Sequence, residues 1–442
     1  MNSSFYNGIS GMKTHQFGID VMAANITGAN TVGFKSSTPE FSSIYHTQLS
    51  GSIFDPISND KGLGSTAQTT TTNFSHGTTV STDGKYDLSI NGDGWFGVVD
   101  ATGQKAFTRA GAFTRDRDGF LVDDKGNHIT GTSANNSNNG LIVDKPKSTI
   151  DMTKPESQTN IQLPDKLVIP AAPTTKVNFT GNLDSTIKTK FSAETEKNEE
   201  VPNVEVYRTT IFDKDGNENL LDIKFTKVVP QKQEGTTWNA VATLTDKDKN
   251  PISTNQGQIK FNGRGAMIEN SMDSIDNNGT QTSLNLGSIY NPSNPNSGFD
   301  GLVSLNGFES ERITTKDGHK QGNLVDYGLT GDGTIMASFD NGQNVPISKV
   351  AIYNFTNEGG LDQSNPVYFK ETSNSGKAMF LSDKNGKYVQ NSSIASNKLE
   401  MSNLNLTTAL TELLVMQKAY EASAKSITTS DQLIQNAINM KK

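Results

Sequence analysis

Carboxylates in surplus and five histidines are the raw material for chemistry in this chain. Its 442 residues include 47 Asp and Glu, 39 Lys and Arg, five His and no Cys. Without Cys there is no disulfide, thiol nucleophile, Cys-held iron–sulfur cluster or Cys-ligated zinc. None of His15, His46, His76, His128 and His319 lies within helical or hairpin spacing of another, so a multi-His metal site is not expected. Asp213-Lys214-Asp215-Gly216-Asn217 opens like a calcium loop. Position six, however, is Glu218 where that loop needs Gly, and position twelve is Lys224 where it needs Glu. A hairpin turn at Asp215-Gly216 accounts for the run better. Asn91-Gly92-Asp93-Gly94 and Asp116-Arg117-Asp118-Gly119 likewise read as turns. Gly92, Gly94 and Gly97 have the dinucleotide-loop spacing, but Trp95-Phe96-Gly97-Val98-Val99 reads as a strand, not as the helix whose N-terminus must face a pyrophosphate. Ser10-Gly11-Met12-Lys13 fits a Ser-x-x-Lys pattern without the partner motifs of that chemistry. No Walker loop or G-x-S-x-G occurs, and no carboxylate pair stands out as glycosidase-like. No catalytic residue, cofactor or metal is assigned.

The composition narrows the classes further. A net charge of −8 with no long basic run argues against nucleic acid, whose affinity comes mainly from phosphate contacts. No stretch approaches the ~20 apolar residues of a membrane span, so no membrane insertion is expected. Lys13 is the first basic residue and Gly8, Ser10, Gly11 and Thr14 break the apolar run, so the N-terminus does not read as a cleaved signal peptide. Only 33% of the residues are hydrophobic, and they must be concentrated somewhere.

They concentrate at the ends. Phe5, Ile9, Met12, Gln16, Ile19, Ala23 and Ile26 step by four and three, the a/d seam of a helix pair. Ser3 or Ser4 is placed to cap that helix. At the other end the same spacing joins Leu406, Leu410, Leu413, Gln417, Tyr420, Ala424, Ile427, Asp431, Ile434 and Ile438, with Asn405 placed as its cap and Lys441 and Lys442 at its C-terminal dipole. Each helix has a second face. Gly8, Gly11, His15 and Gly18 form a stripe where another backbone can come close, and Val415, Ala419, Ala422, Ser426, Leu433 and Ala437 lie well away from the second seam. One reading is a helix pair closing a single domain. The sharper reading is that both helices bind other subunits, through Phe5, Ile9, Met12, Ile19, Ile26, Leu406, Leu410, Leu413, Tyr420, Ala424, Ile427, Ile434 and Ile438, with close packing at Gly8, Gly11, Gly18, Ala419 and Ala422.

Between the ends lie short strand-like runs and Gly, Asn and Asp turns, including Asn385-Gly386. The expected fold is α+β: paired, coiled-coil-like terminal helices with two nested, mainly antiparallel β-domains. Residues 1–35 with 399–442 form the helical polymerisation domain, 36–80 an extended linker, 81–164 with 301–398 an inner β-domain, and 165–300 an outer β-domain inserted in it.

Several runs resemble bacterial flagellar rod and hook proteins. They are Asn7-Gly8-Ile9-Ser10-Gly11-Met12, Asn30-Thr31-Val32-Gly33-Phe34-Lys35, Asp87-Leu88-Ser89-Ile90-Asn91-Gly92-Asp93-Gly94-Trp95-Phe96, Phe107-Thr108-Arg109-Ala110-Gly111-Ala112-Phe113, Leu399-Glu400-Met401-Ser402-Asn403-Leu404-Asn405-Leu406, and Ile427-Thr428-Thr429-Ser430-Asp431-Gln432. The large insert and Val177-Asn178-Phe179-Thr180-Gly181-Asn182-Leu183-Asp184 are similar to the hook members. Asp317-Gly318-His319-Lys320-Gln321-Gly322 looks like their returning inner domain. The resemblance implies a structural subunit, not an enzyme, of a tubular homopolymer outside the cell, exported unfolded by the flagellar apparatus without signal cleavage. It implies hook-cap, distal-rod and hook–filament junction proteins as partners. A distal-rod or hook-junction paralogue shares both ends, and a secreted carbohydrate-binding β-protein is the rival from another class.

Overall fold

The computed structural model describes residues 2–44, 46–48, 60–62, 64–134, 136–138, 140–143, 150–192, 194, 196–230, 234–382 and 388–440. Asn385-Gly386, Lys441 and Lys442 lie outside the described residues. The chain is α+β. Helix α1 spans Asn2–Thr27 and helix α2 spans Leu406–Asn439, with β-structure between them. Asn405 caps α2, its side-chain oxygen accepting from the N–H groups of Thr407 at 3.1 Å and Thr408 at 3.2 Å. Ser3 and Ser4 are already inside α1, which begins a residue earlier, so neither is its cap.

The turn chemistry places the strands as expected. Strands Leu88–Asn91 and Trp95–Val99 flank the glycine-rich run, where Gly92 and Gly94 take φ of +105° and +126°. Asp215-Gly216 joins the antiparallel strands Val204–Phe212 and Glu218–Lys227. The Asp213 carboxylate accepts from the backbone N–H groups of Asp215 and Asn217 at 3.0 and 2.8 Å, so it braces the turn instead of holding a cation.

Two β-cores result. The inner one draws strands from both sides of the insert: Trp95–Val99, Lys105–Thr108, His128–Ser133 and Val168–Ile169 share a sheet with Gly322–Leu329, Thr334–Phe339, Asn344–Val350 and Tyr368–Lys370. Phe96, Ile129, Leu163, Ala337 and Val345 are fully buried there. The outer core lies between two sheets. One is the antiparallel series Val204–Phe212, Glu218–Lys227, Thr236–Thr245, Pro251–Phe261 and Met267–Asn270; the other centres on Lys176–Asn182. In Glu218–Lys227 alternate residues are buried, including Leu221, Ile223 and Phe225, the period of a strand with one face inward. Most pairings are antiparallel, but Lys176–Asn178 pairs in parallel with Ser283–Asn285, and Gly181–Asn182 with Leu302–Val303.

The borders between the cores differ from the expected ones. Val168–Ile169 pairs with Gly322–Asn323 in the inner sheet, while Leu302–Val303 and Ile313–Lys316 pair with Lys176–Asn182 in the outer one. The chain therefore crosses near residues 170–175 and 317–321, not at 165 and 300. The run Asn291–Gly301 has the Asn, Pro and Ser of a border, but it folds onto the outer domain. There the Met267 N–H donates to the Gly298 carbonyl at 3.1 Å, and the Tyr290 N–H to that of Met267 at 2.7 Å. At the crossing, Ala172 and His319 exchange backbone hydrogen bonds of 2.9 and 3.0 Å. The Asp317 carboxylate accepts from the N–H groups of Thr175 and Lys176.

Within 36–80, expected as an extended linker, the described residues include paired strands. Strand Ser37–Ser43 pairs antiparallel with Ser65–Thr72, and the ribbon packs on α1. The Ser- and Thr-rich composition reads as flexible, but Thr is β-branched and favours a strand.

Candidate assembly site

The two ends of the chain are zipped together. Lys398–Glu400 pairs with Thr79–Ser81, and Ser393–Ser396 with Leu88–Asn91. Asn25, at the end of α1, brackets Ser37 by donating to its carbonyl at 2.6 Å and accepting from its N–H at 2.9 Å. Asn403, just before α2, accepts from the Ser36 N–H at 2.9 Å and donates to the Asn73 carbonyl at 2.7 Å.

At the centre of this joint is a buried charge triad. Lys35 Nζ lies 2.8 Å from Glu400 Oε1 and donates to the Ser75 carbonyl at 2.8 Å; Arg109 Nη1 lies 3.3 Å from Glu400 Oε2. The three side chains are 1–3% exposed. Gly77 N–H donates to Glu400 Oε1 at 3.0 Å, and Gly33 N–H to the Glu400 carbonyl at 2.7 Å. The Arg109 guanidinium stacks 5.6 Å from the Trp95 ring, whose Nε1–H donates to Glu358 Oε1 at 3.0 Å. Gly33 takes φ +68°, and a Cβ there would sit 2.3 Å from the Ala110 nitrogen, so the chain leaving α1 can press onto the inner domain only as glycine. The triad joins the exit of α1, the ribbon, the inner sheet and the entry of α2. Each of its members falls inside a run that carried the resemblance, yet no sequence signal links residues 365 positions apart.

Burial alone would raise the Glu400 carboxyl, but the charges of Lys35 and Arg109 outweigh it and hold the group below its ordinary value of 4.5. Burial pushes Lys35 and Arg109 down, against the pull of Glu400. The depressed Glu400 contributes stability that is fully present above pH 4.5 and is lost as pH falls through its lower folded value. Acidification from pH 5 to 2 should therefore loosen this joint; the near-UV dichroism of Trp95, compared with that of a Trp95→Phe variant, reports it.

The helices pack along each other with the glycine stripe of α1 inward. Gly8, Gly11, Thr14 and Gly18 are buried, while Phe5, Ile9, Met12, Ile19 and Ile26 are half-buried at the flanks. A Cβ on Gly8 would lie 2.6 Å from Ile427 Cγ1, one on Gly11 2.7 Å from Ser423 Oγ, and one on Gly18 3.0 Å from Met416 Sδ. The glycines thus meet α2 of the same chain. On α2 the buried and half-buried positions include Ala409, Leu413, Met416, Tyr420, Ser423, Ile427, Ser430 and Ile434, again alternating by four and three. This line shares Leu413, Tyr420, Ile427 and Ile434 with the seam expected from sequence but is rotated away from the rest of it. Leu406, Leu410 and Ile438 are exposed, Ala419 and Ala424 half-buried, and Ala422 exposed. The cause is the glycine face. A helix seated on bare backbone buries a narrow strip, so large side chains remain outside. Leu406, Leu410, Leu414, Val415, Leu433 and Ile438 are each 45–59% exposed.

Among the described residues, no group of three or more His, Asp or Glu is placed to hold a metal ion. Ser10 Oγ donates to the Asn7 carbonyl at 3.1 Å within α1. Trp95 and Trp238 are core residues, 1% and 0% exposed, and offer no aromatic platform to a glycan.

Fold and joint define a class of protein: a chain whose ends are folded onto each other and whose terminal helix keeps apolar surface outward. Three family models match: the flagellar hook protein FlgE/F/G D1 domain at residues 89–184, the flagellar basal body protein FlaE D2 domain at 182–321, and the flagellar basal body rod FlgEFG protein C-terminal at 395–440. The flagellar hook protein FlgE of Escherichia coli K12 is 28% identical over 99% of this chain and 100% of that protein. That of Borreliella burgdorferi is 28% identical over the full length of both. The crystal structure of Helicobacter pylori flagellar hook protein FlgE2 superposes with a TM-score of 0.54 at 16% identity, covering 73% of this chain and 100% of that one, a likeness of fold alone. The chain belongs to the bacterial flagellar rod and hook family, and its full-length likeness is to the hook proteins.

Proposed function

We propose that this chain is the structural subunit of the flagellar hook, polymerising through its terminal helices into a flexible helical tube that couples rod to filament. The observation that carries this reading is the exposed Leu, Val and Ile surface of α2, beside a helix pair whose own contact is already satisfied. Exposed apolar surface on that scale marks an interaction site. The helices line the tube as a coiled-coil-like layer through the exposed Leu406, Leu410, Leu414, Val415, Leu433 and Ile438, while Leu413, Tyr420, Ile427 and Ile434 stay within the helix pair, and the nested β-domains stand outward. The protein performs no catalysis. It leaves the cell through the flagellar export apparatus without losing a signal peptide. Its neighbours are the hook cap, the distal rod and the hook–filament junction proteins. Two cores built without α2 support this division of labour, because the β-domains hold their fold while the ends assemble.

Immunogold labelling of isolated flagella tests the assignment. Label along the curved segment between rod and filament is the expected result. Label confined to the distal rod or to the hook–filament junction would make the chain a paralogue of the hook subunit.

A further inference from the structure

Asparagine followed by glycine is a pair whose backbone can attack its own side chain, because glycine carries no Cβ to shield its neighbourhood. The attack needs a free side-chain amide and a free backbone nitrogen brought together. Among the described residues the pair begins at Asn7, Asn91, Asn262, Asn278, Asn306 and Asn341. All but Asn91 are held. Asn7 lies inside α1. Asn262 Oδ1 accepts from the N–H groups of Arg264 and Ala266, each at 3.0 Å. Asn278 Nδ2 donates to Asp213 Oδ2 at 2.9 Å. Asn306 Oδ1 accepts from Thr186 Oγ1 at 2.6 Å, and the Gly307 N–H is engaged by Asp184 and Thr186. Asn341 donates to the Lys320 carbonyl at 2.7 Å and accepts from the Gln343 N–H at 3.0 Å. Asn91 is instead the exposed end of strand Leu88–Asn91, and neither its side chain nor the Gly92 N–H has a hydrogen-bond partner among the described residues. Gly92 takes φ +105° and leads into Asp93, which is exposed.

We propose that Asn91-Gly92 is a self-modifying site, whose conversion to an isoaspartyl linkage ages the joint between the chain ends. The Gly92 nitrogen attacks Asn91 Cγ. A C–N bond forms, the Cγ–Nδ2 bond breaks, and ammonia leaves with the proton that Gly92 gives up. Water then opens the resulting imide. Opening at the backbone carbonyl routes the chain through the side chain as isoaspartate; opening at the side-chain carbonyl leaves aspartate. Either product adds a negative charge beside Asp93. Isoaspartate also adds a carbon to the backbone at the last rung of the zip, where Asn91 pairs with Ser393. The chemistry holds whether or not the chain polymerises.

The purified full-length chain and its Asn91→Gln variant are aged in warm, mildly alkaline buffer. Glutamine keeps an exposed amide there but sets it one carbon too far for the five-membered imide. Peptide mass spectrometry should show amide-to-acid conversion at Asn91 roughly tenfold or more faster than at Asn262, Asn278, Asn306 and Asn341, because their side chains are held out of position. Isomerisation of Asp93 leaves the mass unchanged and does not enter this count. An isoaspartate-specific methyltransferase should label the Asn91 peptide. By calorimetry the aged parent should melt below the fresh parent, and the aged variant should melt as the fresh variant does. Equal conversion at all these asparagines, or an aged parent that melts as the fresh one does, would overturn the proposal.

Discussion

Removing residues 405–442 is expected to abolish polymer formation while the β-domains stay folded. The inner and outer cores run from Phe34 to Ile394 and include no side chain of α2, so each keeps its apolar contacts in the truncated chain. What is lost is the partner of the glycine face of α1 and the apolar strip beyond it. α1 carries Gly8, Gly11 and Gly18, each costing about 1 kcal/mol of helix propensity relative to Ala, and without α2 only the ribbon packs on it, so it should lose helix. Fully burying six exposed Leu, Val and Ile side chains would be worth roughly 9–18 kcal/mol; half-exposed as they are, they offer roughly half of that per copy before ordering costs. Far-ultraviolet dichroism should show helix loss with strand signal retained, and sedimentation should show monomer at every concentration. Sedimenting polymer from the truncated chain would place assembly elsewhere.

Glu400→Ala is the second large effect. It strands Lys35 and Arg109 in a site where each is nearly inaccessible, and breaking a buried pair by removing one partner typically costs 3–5 kcal/mol. For a domain of this size that is a fall in melting temperature of about 10 °C for the inner-domain transition. The same theory predicts the rescue. Lys35→Met, Arg109→Met and Glu400→Leu together should recover most of the loss, because an apolar cluster carries no desolvation penalty. Differential scanning calorimetry separates the outcomes. An unshifted single variant would mean that the triad does not hold the joint. Recovered stability with failed assembly in the triple variant would mean that the charges fix the angle at which the helices leave the inner domain.

The parts of the molecule that depend on local chemistry were legible. Asp215-Gly216 and Asn91-Gly92 specify turns because a left-handed residue is needed there, and Asn405 marks the start of α2 because its side chain can take two orphan N–H groups. Seam position was half legible. Leu413, Tyr420, Ile427 and Ile434 lie on the line facing α1, but Leu406, Leu410 and Ile438, which share their four-and-three spacing, do not. Which strip a helix buries is decided by its partner's surface, here bare glycine backbone, and a one-helix pattern does not contain that. The pairing of residues 65–72 is not legible because Ser and Thr are common to extended linkers and edge ribbons alike. The Lys35–Glu400–Arg109 triad was out of reach because its members meet only after the whole insert has folded between them.

Electron microscopy of the purified full-length chain beside its Leu410→Glu/Leu414→Glu variant tests the central claim most directly. Both leucines lie on the outer surface of α2, so the variant monomer should fold and melt as the parent does. The account predicts tubes from the parent and only dispersed monomers from the variant. Tubes of the same diameter and abundance from both would contradict it.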